Sequence, residues 1–148
     1  MPAEGDGPGT VVVGVDGSPA SLNALAWAAG QARRQRSTVL AVHARTVLPG
    51  LATVTDRSGV VALAARADLE EIAAELTGRL RLIEGELGVA VYLVVRAGDP
   101  AGVLAAVAEE VRADALVVGA SRSLGHRVAG SVATRLCRNA RCPVTVVP

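Results

Sequence analysis

Two glycine-containing segments carry the residues whose types and spacing point most directly to phosphate binding. The first is 15–18 (Val-Asp-Gly-Ser), and the second runs from Gly119 through a polar loop to Gly130 and Ser131. Glycine lets backbone amides approach a phosphate closely, and the amino end of a helix offers free N–H groups and partial positive charge. A helix that begins at Gly130 and Ser131 would make the second segment a candidate anion site.

The loop after Gly119 adds polar and cationic side chains to this candidate site. It contains Ser121, Arg122, His126 and Arg127. Residues 1–114 contain ten arginines and all 14 acids, a net charge of −4, whereas residues 115–148 contain five arginines and no acid. An anionic ligand would be attracted to this C-terminal part of the chain.

Each candidate residue also has a purely structural interpretation. Asp16 can cap the next helix or bond its own turn, and Gly119 can serve a turn at the end of a strand. Gly130 and Ser131 can form an ordinary helix cap. The joint placement of these residues is what favours the functional interpretation.

Some chemistries are excluded, and other reactive residues suit structural roles. All 15 basic residues are arginine, which excludes a Walker A loop and a Schiff-base lysine. His43, near the end of an apolar run, suits a hydrogen-bonded core histidine. Arg135 and Arg138 suit a solvated helix face. Cys137 and Cys142 do not have the spacing of a zinc or C-x-x-C motif. We therefore expect Cys137 to be a buried thiol on a helix and Cys142 to be a small residue before Pro143. A redox pair is the alternative.

Short, almost continuous apolar runs predict strands that are buried on both faces. Helical patterns separate these runs: Ser18-Pro19 and Asp99-Pro100 are each a cap residue followed by proline, and 60–87 repeats apolar residues every three or four positions. The alternation predicts an α/β fold with an open, doubly wound parallel sheet and helices on both faces. The predicted strands are 10–16, 38–43, 89–95, 115–119 and 144–147.

The apolar spacing also predicts which face each helix buries. For the first helix the set is Leu22, Leu25, Ala26 and Ala29; for the third it is Val103, Leu104, Val107 and Val111; for the last it is Val132, Ala133, Leu136, Cys137 and Ala140.

Length and composition limit the remaining possibilities. The 148 residues, 51% of them hydrophobic, suit one domain at 10–148 after a short disordered leader at 1–9. The sequence contains neither a run of about 18 apolar residues nor a signal-peptide pattern, so we expect a cytoplasmic protein that does not bind membranes. With no Phe, one Tyr and one Trp, stacking on successive bases is excluded, and we expect no nucleic-acid partner.

The chain resembles the universal stress protein family over 10–148. The similarity lies in Val-Gly-Val-Asp-Gly-Ser-Pro-Ala-Ser at 13–21 and in the segments 40–44, 96–101, 113–119, 130–133 and 140–148. It implies a five-stranded parallel sheet of order 3-2-1-4-5, as in adenine nucleotide alpha hydrolase-like folds. It also implies a homodimer that pairs through the C-terminal strand.

In the ATP-binding branch of that family, the signature is Gly, two residues, Gly, nine residues, then Gly with Ser or Thr. By position, Gly119 matches the first glycine and Gly130-Ser131 match the last pair. The resemblance places Asp16 beside adenine and Ala44 and Val118 in the base pocket. The other residues of the predicted site are Gly17, Ser121, Arg122, Arg127 and Val132.

The sequence departs from that signature in its loop. Arg122 replaces the second glycine, and the stretch from Gly119 to Gly130 is two residues shorter than the pattern. The arginines could offset lost amide contacts electrostatically. The resemblance thus implies a regulatory module of the stress response that binds ATP, with Mg²⁺, as a homodimer. The alternative is a dimeric interaction protein of the same family that binds no nucleotide.

Dedicated catalysis is not expected. The serines at 18, 21, 121 and 123 have no recognisable triad partners. Related pyrophosphatase-type ATP enzymes carry Ser-Gly-Gly-x-Asp-Ser after the first strand, and 15–21 does not match it. At most, slow incidental hydrolysis of ATP would occur.

Overall fold

Five parallel strands and four helices alternate along the chain. The computed structural model describes residues 8–45, 60–120 and 130–148, and in the second helix it describes side chains from residue 70 onward. The elements are β1 (Thr10–Gly14), α1 (Pro19–Gln35), β2 (Thr38–Arg45), α2 (Val60–Leu87), β3 (Val91–Ala97), α3 (Pro100–Glu110), β4 (Ala115–Gly119), α4 (Ser131–Asn139) and β5 (Val144–Val147).

The sheet has the order β3-β2-β1-β4-β5, which confirms the predicted topology. Val12 of β1 lies opposite Leu40 of β2 on one side and Leu116 of β4 on the other. The chain builds outward from β1 in one direction through β2 and β3, and in the other through β4 and β5. The order therefore reverses between β1 and β4, and this is where open α/β sheets bind ligands.

Both faces of the sheet are covered by helices, as predicted. One face packs against α1 and α2 and contains the fully buried Leu25 and Leu76. The opposite face packs against α3 and α4 and contains Leu104 and Leu136. Because alternate residues of the central strands enter two separate cores, their apolar runs are nearly continuous. Within the described part of the chain, no helix has both the length and the hydropathy needed to cross a bilayer.

Some strand boundaries differ from the prediction because pairing with neighbours decides where a strand ends. The third strand was predicted at 89–95, but β3 is Val91–Ala97, since its last residues pair with His43, Ala44 and Arg45 of a longer β2. The first strand ends at Gly14 rather than at residue 16, although the amide of Val15 still donates to the carbonyl of Val42 at 2.9 Å.

The predicted helix faces are partly wrong. In α1 the buried stripe is formed mainly by alanines. The prediction included Ala26 because alanine counts as apolar at any position of a helix, but Ala26 is exposed. Val111 follows the last turn of α3 as its C-cap and is 37% exposed. Cys137 is exposed, since the short α4 buries only Ala133 and Leu136. Burial raises the pKa of the half-buried Cys142 thiol, which does not favour the redox pair.

The predicted cap residues begin α1 and α3, and α2 spans Val60–Leu87 as its apolar repeat predicted. Ser18 and Asp99 are N-caps whose side chains accept from the amides of Ser21 and Gly102, and each is followed by proline. α1 ends on Arg36 at φ +56°, a left-handed conformation in which glycine is preferred. Nothing in the sequence indicated an arginine at this cap.

Candidate functional site

A cavity of about 460 Å³ opens beyond the carboxyl ends of β1 and β4. It lies where the strand order reverses, and its volume falls within the roughly 300–1,000 Å³ that is typical of small-molecule sites. Its lining comprises Gly14, Val15, Asp16, Ser18, Pro19, Ala20, Ser21, Val42, Ala44, Pro100, Leu104, Val118, Gly119, Ala120, Gly130, Ser131, Val132 and Ala133.

Most of the residues predicted for the site meet at this cavity. Gly17 does not line it; its φ of +83° shows that it serves the turn after β1. Ser121, Arg122 and Arg127, with the neighbouring His126, lie outside the described residues. Contact of any of these residues with a ligand stays a prediction. The predicted residues that line the cavity are Asp16, Ala44, Val118, Gly119, Gly130, Ser131 and Val132.

The prediction from sequence missed much of the apolar wall. Val15, Val42 and Leu104 line the cavity together with the predicted Ala44 and Val118. Val42 could have been found, because residues two apart in a strand share a face and Ala44 was already a candidate. Leu104 gave no such signal, since only the packing of α3 on the sheet brings it here.

Three helices point their amino ends at the cavity. Pro19, Pro100 and Ser131, the first residues of α1, α3 and α4, all line it. The amino ends of α1 and α3 are capped by Ser18 and Asp99. The N-cap of α4 is glycine, which makes no side-chain cap hydrogen bond. Of the three, α4 is therefore the one whose first-turn amides are not capped by an N-cap side chain, so it retains the most capacity to bind an anion.

Asp16 supplies a negative charge to the lining of the cavity. Its Oδ1 accepts from the amide of Ser18 at 2.8 Å, as the turn interpretation predicted. Partial burial alone would raise the pKa of this carboxyl, but hydrogen bonds from Ser18 and Ser21 outweigh it and hold the pKa below its ordinary value. Among the described lining residues Asp16 has the only carboxylate, so phosphate is disfavoured near it.

Gly119 has a packing role that neither interpretation of the sequence anticipated. A Cβ at this position would lie 2.5 Å from the backbone carbon and oxygen of Ala20 and 2.9 Å from the amide nitrogen of Ser21. These are backbone atoms of α1, which a side-chain rotation cannot move away. Gly119 thus permits the close approach of β4 to the first turn of α1. Both Gly119 and Ala20 line the cavity.

His43 and the C-terminal arginines occupy structural positions. His43 is buried and its Nδ1 donates to the carbonyl of Val15 at 2.8 Å, which confirms the interpretation as a core histidine. Arg135 bonds Asp99 at 2.7 Å, so it is exposed but paired rather than merely solvated. Arg141 likewise pairs with an acid of α3. Two of the five arginines in 115–148 are therefore paired with acids in the fold.

The described residues form no arrangement typical of acyl-transfer or metal chemistry. The hydroxyl of Ser18 accepts from the amide of Ser21, and that of Ser21 donates to the carbonyl of Ser18. Neither is bonded to His43, whose Nδ1 is directed at a backbone carbonyl. Among the side chains that the structure describes, at 8–45, 70–120 and 130–148, no three of His, Cys, Asp or Glu group in a way that could hold a metal ion.

Comparison with known proteins identifies the family to which the chain belongs. Residues 8–148 match the universal stress protein family. The chain belongs to this family. Universal stress proteins are generally regulatory rather than enzymatic. The match covers the whole sheet and all the described residues that line the cavity.

Individual relatives extend this result. The chain is 30% identical over 139 residues to universal stress protein MJ0531 of Methanocaldococcus jannaschii, covering 93% of this chain and 80% of the relative. A universal stress protein solved in complex with cAMP is 27% identical, with a TM-score of 0.68 over 95% of this chain and 96% of that one. The Archaeoglobus fulgidus protein in complex with dAMP is 25% identical, with a TM-score of 0.66 over 95% and 98%.

Proposed function

We propose that this universal stress protein is a regulatory module that binds an adenine nucleotide, ATP with Mg²⁺ foremost, in the cavity between β1 and β4. The observation that carries the proposal is the polarity of the cavity. Its lining combines apolar side chains of the strands and of α3 with the amino end of α4, which lacks a side-chain cap. A nucleotide has matching halves, a flat base and an anionic phosphate.

The apolar wall suits the base and the sugar. Val15, Val42 and Leu104 provide surface that an adenine ring can cover, and burial of such surface favours binding. Asp16 lies beside this wall as an ionised acceptor. Its charge repels phosphate but accepts hydrogen bonds from an exocyclic amine or a ribose hydroxyl.

The amino end of α4 suits the phosphate. Gly130 leaves the first amides of α4 without a side-chain cap, and the positive end of the helix dipole favours an anion there. Ser131 adds a hydroxyl that lines the same side. The two related structures that hold cAMP and dAMP support the proposal, since both ligands combine adenine with a single phosphate.

The second candidate is a dimeric interaction protein that binds no nucleotide. The observation in its favour is the sequence between Gly119 and Gly130, which is shorter than the ATP-binding signature and has Arg122 at the second glycine. In either case we propose that the protein acts in the cytoplasm, in stress responses, as a homodimer that pairs through β5, an edge strand of the sheet.

Calorimetric titration with Mg·ATP, ADP and AMP tests the proposal on protein stripped of nucleotide. Two matched variants, Gly130→Asp and Gly130→Asn, both place a good cap at the start of α4 and should leave stability within about 0.5 kcal/mol. Only Asp puts a negative charge where the phosphate would bind. We expect binding in the micromolar range, near −8 kcal/mol, in the wild type, and a loss at least tenfold greater in Gly130→Asp than in Gly130→Asn. No heat with any nucleotide favours the second candidate, and equal losses in both variants contradict the phosphate position.

A further inference from the structure

The core contains two buried polar side chains within the described part of the chain, Ser21 and His43, which are 6% and 9% exposed. Every other buried residue in the described part of the chain is Val, Ala or Leu. A buried polar group lowers stability unless it is hydrogen-bonded, so its presence in an otherwise apolar core needs a reason. The hydrogen bonds of these two residues converge on a single peptide group.

That peptide group joins Val15 to Asp16. From β2, the Nδ1 of His43 lies 2.8 Å from the carbonyl oxygen of Val15. A carbonyl oxygen only accepts, so Nδ1 carries the hydrogen. From α1, the hydroxyl oxygen of Ser21 accepts from the amide of Asp16 at 3.2 Å. Both polar atoms of one peptide plane are thus held by the two buried polar side chains, each from a different element.

Further hydrogen bonds hold the residues on either side of this peptide group. The amide of Val15 donates to the carbonyl of Val42, so β2 holds both backbone polar groups of Val15. The hydroxyl of Ser21 donates in turn to the carbonyl of Ser18 at 3.0 Å, across the first turn of α1. The peptide plane before Asp16 sets the direction of its side chain, and Asp16 lines the cavity.

We propose that Ser21 and His43 are positioning residues, which hold the Val15–Asp16 peptide and thereby fix the Asp16 carboxylate in the nucleotide site. This inference rests on the proposed function for its consequence in binding, but its structural part is independent of any ligand. Neither residue needs to touch the nucleotide through its own polar atoms. Their effect on affinity passes through Asp16.

Variants of His43 separate positioning from simple packing. His43→Asn keeps a side-chain N–H donor at about the position of Nδ1, whereas His43→Leu fills the space without a donor. Val39→Ala is the control, because Val39 is fully buried in the same core at the other end of β2 and its truncation destabilises the fold without touching the turn.

Amide hydrogen exchange of the ligand-free protein gives the first readout. Loss of the His43 bond should speed exchange at the amides of Asp16 and Ser18 roughly tenfold, the factor that corresponds to one net hydrogen bond. His43→Asn should stay within about threefold of the wild type, and Val39→Ala should leave these two amides unchanged. Unchanged exchange in His43→Leu, or an equal rise in the Val39 control, overturns the proposal.

AMP affinity gives the second readout. We expect a roughly tenfold loss in His43→Leu, recovery in His43→Asn, and no further loss when His43→Leu is added to Asp16→Ala. Additive losses in the double variant would mean that His43 acts independently of Asp16 and would overturn the proposal. If the wild type binds no nucleotide, the proposed function fails, and the exchange measurement alone then decides whether these residues hold the turn.

Discussion

Gly119→Ala should destabilise the protein strongly through a clash between backbone and Cβ. The added carbon would lie 2.5 Å from the carbonyl carbon and oxygen of Ala20, closer than real Cβ contacts come. Because α1 is anchored on the sheet by Leu25, relief requires the whole first turn of the helix to move away from β4. Overpacking of this kind lowers the free energy of unfolding by about 1–3 kcal/mol. Because both atoms that the Cβ would meet at 2.5 Å belong to the backbone of Ala20, we expect a loss of about 3 kcal/mol.

Gly78→Ala is the matched control, since Gly78 lies within α2 and a Cβ there meets nothing within 4 Å. It should raise the free energy of unfolding by about 0.5–1 kcal/mol, because alanine restricts the unfolded chain and favours helix. Urea denaturation followed by far-ultraviolet circular dichroism measures both variants. A Gly119→Ala protein within about 0.5 kcal/mol of the wild type would refute the packing role assigned to this glycine.

Three further predictions concern the helix ends. Ser18→Ala should lower the free energy of unfolding by about 1 kcal/mol, because the cap of α1 is lost; urea denaturation checks this, and no change would mean the cap contributes nothing. Arg36→Gly should raise it by about 1 kcal/mol by relieving the left-handed conformation; a loss of stability in the same assay would contradict this. The hydrogen bond from Arg135 holds the pKa of the Asp99 carboxyl below its ordinary value, so this pair stabilises the fold at neutral pH and its contribution is lost as pH falls through that lowered pKa, below about 4. Thermal unfolding of Asp99→Asn between pH 7 and 3 should therefore fall less steeply with acid than the wild type; identical slopes would argue that the pair is not formed in solution.

The strands and the sheet could be predicted because the signals are local or topological. Runs such as 11–13, three valines, are β-branched and apolar, and their alternation with helices leaves few arrangements of a parallel sheet. The caps at Ser18 and Asp99 depend on residues within three positions of each other, so the sequence alone reveals them. The order of the strands came from the resemblance, which the fold confirms.

What the sequence could not reveal depends on contacts between distant elements. Gly119 approaches Ala20 only because β4 and α1 pack together, and nothing near either residue indicates that contact. Leu104 reaches the cavity only through the packing of α3 on the sheet. The side chain of Arg135 in α4 pairs with Asp99, the N-cap of α3. A charge that was expected to be solvated is therefore paired in the fold.

Titration of ¹⁵N-labelled protein with ATP, followed by amide chemical shifts, shows whether the cavity between β1 and β4 binds the nucleotide. We expect the shifts to concentrate at residues that line the cavity, at Ser131 and Val132 for the phosphate and at Asp16 for the base. AMP should move the same amides. Shifts that are absent at saturating ATP, or confined to the exposed edge around Tyr92 of β3, would contradict the proposed nucleotide site.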